Sequence, residues 1–416
     1  MVKTTKDLVA ADGKPLKLKV ARALFRSRAR AFGLALPLLA FILVGFIVPI
    51  SLFMTNAFYD ARFSTYMPKT TSVLKSWNGI DEPSEKMFQA LAEDLIINKK
   101  DKTIGKVGIR VNREMSGSRS LLLKTTRKVP KMNPPYKEEF VKIDKRWGEL
   151  KIWQSMKVAA KVYTIGHLVK SFDLKLTGDG HIVKQPEERQ IHIVLFLRTL
   201  EISVVVTLAC LILGYPVSYL LASLNAKTAN LLLILVLLPF WTSLLVRKTA
   251  WIAMLQGQGV MNDLFVLFGF ASDEDRFSLI YNKTGTLIAM THILLPFMIL
   301  PIYSVMKTIS PSYLKAAKSM GASNFTAFWR VYAPLTVPGI GAGGILVFIL
   351  AIGYYITPAL VGGQNGIMIS NIIDFHMRST LNWNFAAALG LVLLVFVLFM
   401  FWIYDRVVGI DNMKLG

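Results

Sequence analysis

The chain has 416 residues, 53% of them hydrophobic, and carries a net charge of +22 at pH 7. Its mean hydropathy is +0.47, and the apolar residues gather into blocks long enough to cross a hydrocarbon core, which sets soluble-enzyme readings aside. The lone Cys210 excludes an intrachain disulfide and a thiolate metal site; the five histidines form no H-E-x-x-H pair, and no G-x-x-x-x-G-K-[ST] loop occurs, so any ATP used is bound by another chain.

Residues 1–31 are basic, with nine Lys/Arg before residue 31 against Asp7 and Asp12, which predicts a cytoplasmic N-terminus under the positive-inside rule. The first transmembrane helix is predicted within 32–58, its apolar block running over 32–53. It is too long for a typical signal h-region and lacks a small-residue cleavage site, so it reads as a retained anchor.

Residues 59–190 form a long insertion that the same topology places in the periplasm. It holds 26 Lys/Arg against 16 Asp/Glu, a bias that long loops tolerate on crossing. Ser84 is positioned to cap a helix with Met87, Phe88, Leu91 and Leu95 on one face. "GKVGIRVNRE" and "SRSLLLKTT" read as short strands, and Pro135 opens a further helix. The expectation is a small α+β extracytoplasmic domain. Acidic residues interleave with its lysines and no stacking pattern occurs, so nucleic acid is not an expected partner.

Five more spans follow in a core of 191–406: 195–221, 231–245, 287–306, 339–360 and 383–404, with 407–416 as a cytoplasmic tail. The third contains Pro239 and runs into Arg247 and Lys248, expected interfacial anchors, before "TAWIAMLQG"; a re-entrant or interfacial helix accounts for this pattern. The whole reads as an all-α polytopic membrane protein with six transmembrane helices.

The loop 307–338 falls inside, and all its charges are positive: Lys307, Lys315, Lys318 and Arg330. Ser310 or Ser312 caps a helix over "SYLKAAKSM", Gly321 ends it or admits a close backbone, and a second helix presents Phe325, Phe328, Trp329 and Tyr332 before Pro334 stops it. Physics alone leaves two readings open: an interfacial linker anchored by its aromatics, or a lever that docks in a partner's groove.

Ala316-Ala317-x-x-x-Gly321 with Pro334 at the loop's end resembles the EAA motif of the inner-membrane permeases of binding-protein-dependent ABC importers. "LILGYPVSYLLA", "LLPFWTSLLVRKTAWIAML", "LLPFMILPIYSVM", "GYYITPALVGG" and "NWNFAAALG" are similar to the spermidine/putrescine branch. The resemblance implies a MetI-like permease fold in the bacterial inner membrane. It makes Lys315, Ala316, Ala317, Gly321, Ala322 and Pro334 the ATPase-coupling residues. Implied partners are an ATP-binding-cassette ATPase dimer that holds ATP and Mg, a second homologous permease and a periplasmic solute-binding protein, with no cofactor and no catalysis on this chain. One departure stands out: the motif's acidic first residue is Lys315 here. The implied solute is a polyamine; another small organic solute, and less so a stand-alone secondary transporter, remain alternatives.

Ionisable groups in spans are costly and mark pathways, which nominates Glu201 and Asp374. Tyr354 and Tyr355 offer cation–π contacts to an amine along the pathway or, alternatively, pack, and Trp241 and Trp251 are further pathway candidates. Glu201 also has a structural alternative, pairing near Arg198, and His292 is expected to pack.

Overall fold

The computed structural model describes residues 16–408; residues 1–15 of the basic N-terminus and 409–416 of the tail lie outside the described residues. Two compact units divide the chain at residue 56. The first unit is one helical run, basic at its start and apolar beyond: α1 (Leu16–Ile42), a π-helical turn Leu43–Ile47 and α2 (Val48–Thr55). The Val48 N–H reaches back to the Leu43 carbonyl, one residue further than in an α-helix. This wide turn comes directly before Pro49, which has no N–H to donate and whose ring crowds the preceding turn. Ala23–Thr55 is long and apolar enough to cross a membrane.

The second unit opens with the insertion. Its helices are α3 (Arg62–Tyr66), α4 (Pro68–Ser76), α5 (Glu85–Lys100), α6 (Ile104–Asn112), α7 (Ser118–Lys128), α8 (Tyr136–Ile143), α9 (Leu150–Ala160) and α10 (Gly166–Ser171). An antiparallel hairpin follows, β1 (Leu174–Leu176) and β2 (Ile182–Lys184), with Lys175 opposite Val183. The helix after Ser84 buries Met87, Phe88, Leu91 and Leu95, and α8 starts behind Pro135, as expected.

The two expected strands are helices. In α6 the apparent alternation of Val107, Ile109 and Val111 conceals a helical face, because the residues that bury are Val107, Gly108, Arg110 and Val111. In α7 they are Ser118, Leu121, Leu122, Thr125 and Thr126. β-branched residues lend a strand-like look to a sequence whose packing period is 3.6. Gly117, at φ +85°, makes the turn between the two helices, and Gly108 lets the Arg119 side chain lie against α6. The α+β content therefore rests on the one hairpin.

The insertion's core is aromatic. Phe88 meets Phe140 and Trp153 edge-on at 5.6 and 4.7 Å, and Trp147 meets Phe140 at 5.2 Å. The buried indoles are satisfied: Trp147 Nε1 donates to Thr125 Oγ1 and Trp153 Nε1 to the Trp147 carbonyl, both at 2.9 Å.

A buried ionic chain runs beside this core. Asp60 pairs with Arg62 and Arg110 at 2.7 and 3.0 Å, Arg110 with Glu114 at 2.6 Å, and Glu114 with Lys170 at 2.8 Å. Burial opposes ionisation of both carboxyls, but their partners outweigh it: the His167 ring 3.7 Å away, the Arg62 hydrogen bonds and the Arg110 charge hold Asp60 well below the usual range, and the charges of Lys170 and Arg110 hold Glu114 at about 2. Arg62 also donates to Asn384 Oδ1, and Asn384 Nδ2 donates to the Tyr59 carbonyl at 2.8 Å, which ties the insertion to the last long helix.

The membrane portion comprises α11 (His192–Ser223), α12 (Ala226–Trp241), α13 (Leu244–Leu255), α14 (Val260–Leu267), α15 (Lys283–Thr308), α16 (Ser312–Ser319), α17 (Asn324–Ala327), a π-helical turn Phe328–Tyr332, α18 (Ala333–Gly353), α19 (Ile356–Val361), α20 (Gly363–Gly366), α21 (Ile369–Arg378) and α22 (Trp383–Val408). Asp173 starts α11 by accepting the N–H groups of His192 and Ile193 at 3.0 and 2.9 Å.

Among the described residues five helices are long and apolar enough to span by length and composition. A pair bent by 95°, Ala226–Trp241 with Val246–Leu267, makes a sixth when taken together. α12 alone has 16 residues and rises about 24 Å, short of a core about 30 Å thick. The chain breaks after it at Thr242, and Arg247 donates to the Pro239 and Thr242 carbonyls at the end of α12. Arg247 is thus a helix cap, and Lys248, an expected anchor, is buried at 2% exposure.

The centre is a trio, α11, α15 and α18, packed through small residues. A Cβ on Gly214 would lie 3.3 Å from Met298 Cγ and Ile299 Cγ1, and one on Gly339 would lie 3.0 Å from Ile302 Cα. Ser218 Oγ bridges to the Ile299 carbonyl at 3.1 Å and Cys210 Sγ to the Thr291 carbonyl at 3.4 Å. Cys210 is a small buried side chain in this seam.

Candidate functional site

The loop between α15 and α18 is built as a helix, a sharp turn and a second helix. Ser310 Oγ accepts the Ser312 N–H at 3.4 Å where α16 begins. At its other end the Gly321 N–H bonds the Lys318 carbonyl at 2.9 Å and the Ala322 N–H bonds the Ala317 carbonyl at 3.1 Å. Gly321 sits at φ +88°. This is a Schellman stop, which demands a left-handed residue, and glycine supplies it without strain. Nothing lies within 4 Å of a Cβ built there, so within the chain the glycine serves conformation and not close approach. Ser323 then caps α17 by accepting the Thr326 N–H at 3.2 Å.

Of the motif residues, Lys315, Ala316 and Gly321 are exposed, Ala322 is half-buried, and Ala317 is buried at 4%. Ala317 therefore faces inward and the outward tip is Tyr313, Lys315, Ala316 and Met320. Pro334 does not stop the second helix. α17 passes through the π-helical turn into α18 as one continuous helix, with the Ala333 N–H reaching the Phe328 carbonyl. The wide turn accommodates Pro334 much as the one before Pro49 does, and the helix ends only at Gly353 and Tyr354. The span expected at 339–360 is thus shifted toward the N-terminus.

The aromatic face divides in two. Phe325 and Trp329 point outward at 74% and 57% exposure. Phe328 and Tyr332 turn inward and meet Tyr219 of α11 at 5.4 and 5.5 Å, with Tyr215 at 6.3 Å from Phe328. The loop's base is thereby locked to α11 as well as to the helices it joins. Tyr215 and Tyr219 were in view within "LILGYPVSYLLA", but nothing in their spacing identifies a partner about a hundred residues away.

The pathway candidates separate. Glu201 pairs with Lys283 of α15, while Arg198 donates to the Gln364 carbonyl at 2.8 Å, so the carboxylate's partner is a different cation from the neighbouring one. Trp241 is 74% exposed at the end of α12, whereas Trp251 is buried, its ring 5.1 Å from His292. Tyr354 is half-buried against the central cluster. At the break after α18, the Tyr354 and Tyr355 carbonyls accept from Ser370 Oγ and Asn371 Nδ2 at 2.8 and 2.6 Å. Tyr355 and Asp374 do come together, in a cleft of about 430 Å³ with Gly353, Arg378 and Trp383. Arg378 donates to Asp374 at 2.6 Å and to the Tyr355 hydroxyl at 3.3 Å, so the carboxylate in this cleft is already neutralised. Among the described residues no group of three or more His, Cys, Asp or Glu is arranged to hold a metal.

Residues 214–408 match the family of binding-protein-dependent transport system inner membrane components. The chain is 35% identical over 219 residues to the spermidine/putrescine transport system permease protein PotB of Escherichia coli, covering 53% of this chain and 79% of that one. The PotB of Haemophilus influenzae is 34% identical over 217 residues, 52% of this chain and 75% of its own. The inner membrane ABC transporter permease protein YdcU of Escherichia coli is 33% identical over 213 residues, 49% and 68%. A crystal structure of a bacterial ABC transporter that imports the acidic polysaccharide alginate shows 19% identity and a TM-score of 0.44, over 53% of this chain and 80% of its own. The family match begins at Gly214 and leaves out the insertion. The family match and the PotB relatives place the chain among the binding-protein-dependent transport system inner membrane components, the permeases of ABC transport systems.

Proposed function

We propose that this chain is one of two permease subunits of an ATP-driven importer in the bacterial inner membrane. It lines half of the path for a small solute handed over by a periplasmic binding protein. The observation that carries the reading is the α16 tip: it exposes Tyr313, Lys315, Ala316 and Met320 while Leu314 packs on the central cluster and Ala317 is buried. An ATPase partner that holds ATP and Mg binds this tip. A push on it travels through Phe328 and Tyr332 to α11 and through the continuous helix into α18. The α15–α18 loop and both termini are cytoplasmic in this reading, and the insertion lies outside.

The solute we favour is a polyamine, on the strength of the PotB relatives. One observation favours a zwitterionic or anionic solute instead: Glu201 and Asp374, the carboxylates best placed for a cation, are both paired. Co-reconstitution with the ATPase, the second permease and the binding protein tests this. ATP-dependent uptake of labelled spermidine or putrescine is expected. Ion-gradient-driven uptake by this chain alone overturns the importer reading, and ATP-dependent uptake of an acidic solute with no polyamine uptake overturns only the solute.

A further inference from the structure

A basic cavity of about 200 Å³ lies where the insertion meets the corner between α21 and α22. The insertion lines it with Arg113, Lys170, Lys175 and Arg189, and the membrane portion with His192 and His376. Its one carboxylate, Glu114, is already taken by Arg110 and Lys170. Arg113 spends Nη2 on the Leu381 carbonyl at 3.2 Å, and its Nη1 is buried with no acceptor. Among the described residues Lys175 and Arg189 have no carboxylate within ion-pair range, and the nearby Asp173 is occupied by His192 at 2.6 Å.

A guanidinium buried without an ion pair of its own is costly, and its neighbours register the same excess. Burial and the like charges of Arg62 and Arg110 pull Arg113 down to about 10, against the opposing charges of Asp60 and Glu114. Burial with His192 and Arg113 pulls His376 down to about 4. Both shifts share two causes, burial and neighbouring positive charge, and a bound anion relieves the second.

We propose that this cavity binds a small oxyanion, a carboxylate or phosphate group, which bridges the insertion to the α21–α22 corner. Arg113 supplies the planar donor suited to an oxyanion, and Lys175 and Arg189 supply charge. The cavity is walled from both sides, so occupancy ties the insertion to the helices that carry the Tyr355–Asp374 cleft. The site is separate from that cleft and does not rest on the identity of the transported solute.

The test uses the full chain in nanodiscs of phosphatidylcholine, titrated calorimetrically with inorganic phosphate and with succinate at constant ionic strength, chloride being the only other anion. Saturable binding is expected, weakened about tenfold or more in Lys175→Gln/Arg189→Gln. Lys142→Gln, which removes an exposed charge paired with Glu139 elsewhere in the insertion, serves as the control for net charge and leaves affinity unchanged. Arg113→Gln, with its fold checked by its unfolding midpoint, weakens binding further. If phosphatidylglycerol in the disc displaces phosphate, and that displacement is lost in the double variant, the same site draws its oxyanion from a lipid headgroup. No saturation with either anion, or equal affinity in wild type and the double variant, overturns the proposal.

Discussion

Gly343 and Gly344 are neighbours on α18, and they are predicted to respond oppositely to alanine. A Cβ on Gly343 would stand 2.9 Å from Met298 Sδ, 3.0 Å from the Met298 carbonyl oxygen and 3.4 Å from Met298 Cα. Ordinary contact begins near 3.5 Å, so α15 and α18 must part by roughly 0.5 Å, because the obstacle is largely backbone. Overpacking of this kind costs about 1–3 kcal/mol, against which alanine regains up to about 1 kcal/mol of helix propensity. Gly343→Ala is therefore destabilising by about 1 kcal/mol, and Gly343→Val by clearly more. Gly344 has nothing within 4 Å of its Cβ position, so Gly344→Ala keeps only the propensity gain. Unfolding midpoints of the detergent-purified chain, followed by fluorescence, are to be compared. The two alanine variants should differ by about 1–3 kcal/mol in a fixed order. Equal shifts refute the claim that α15 and α18 meet through glycine.

Ala317→Leu is expected to lower the stability of the isolated chain by about 1–3 kcal/mol, because Ala317 is packed inward, while Ala316→Leu leaves stability unchanged and reduces co-purification of the ATPase. Lys315→Glu reverses an exposed charge, worth less than about 1 kcal/mol; ATPase stimulation should change less than about fivefold, and a larger change shows that charge as well as shape governs docking. Asp60→Asn leaves Arg110 buried without its full complement and is expected to cost about 3–5 kcal/mol, read from the chain's unfolding midpoint.

Acid is expected to loosen the second unit in two stages. His167 and His376 are held below an ordinary imidazole, first by burial. The unfolded chain therefore takes up their protons first, and stability falls as pH drops from about 6.5 towards 4. Asp60 and Glu114 are also depressed, so their contribution is complete above about pH 5 and is lost between about 4 and 2. Emission from the buried Trp147 and Trp153 reports both stages. His167→Gln/His376→Gln should flatten the upper one, and an unchanged profile contradicts the assignment.

The sequence by itself determined the membrane class, the first, second, fourth and last long helices, and the α15–α18 loop, because each is a local pattern: an unbroken apolar run, or a glycine and alanines at fixed spacing. It also located the helices at Ser84 and Pro135, whose start signals and apolar faces lie within a few turns, although the Ser84 side chain makes no cap bond. Tertiary structure alone decided the rest. Period-2 alternation in α6 lost to packing on a helical face, and Pro334, a stop by local rule, was absorbed by a wider helical turn. Ala317 turned inward, although nothing in its neighbours distinguishes it from Ala316. Glu201 found Lys283, and Tyr219 found Phe328 and Tyr332, across about a hundred residues, because ion pairs and ring contacts depend on where helices cross. The basic cavity at Arg113 is the furthest case: its residues span most of the second unit and meet only when the insertion closes on the α21–α22 corner.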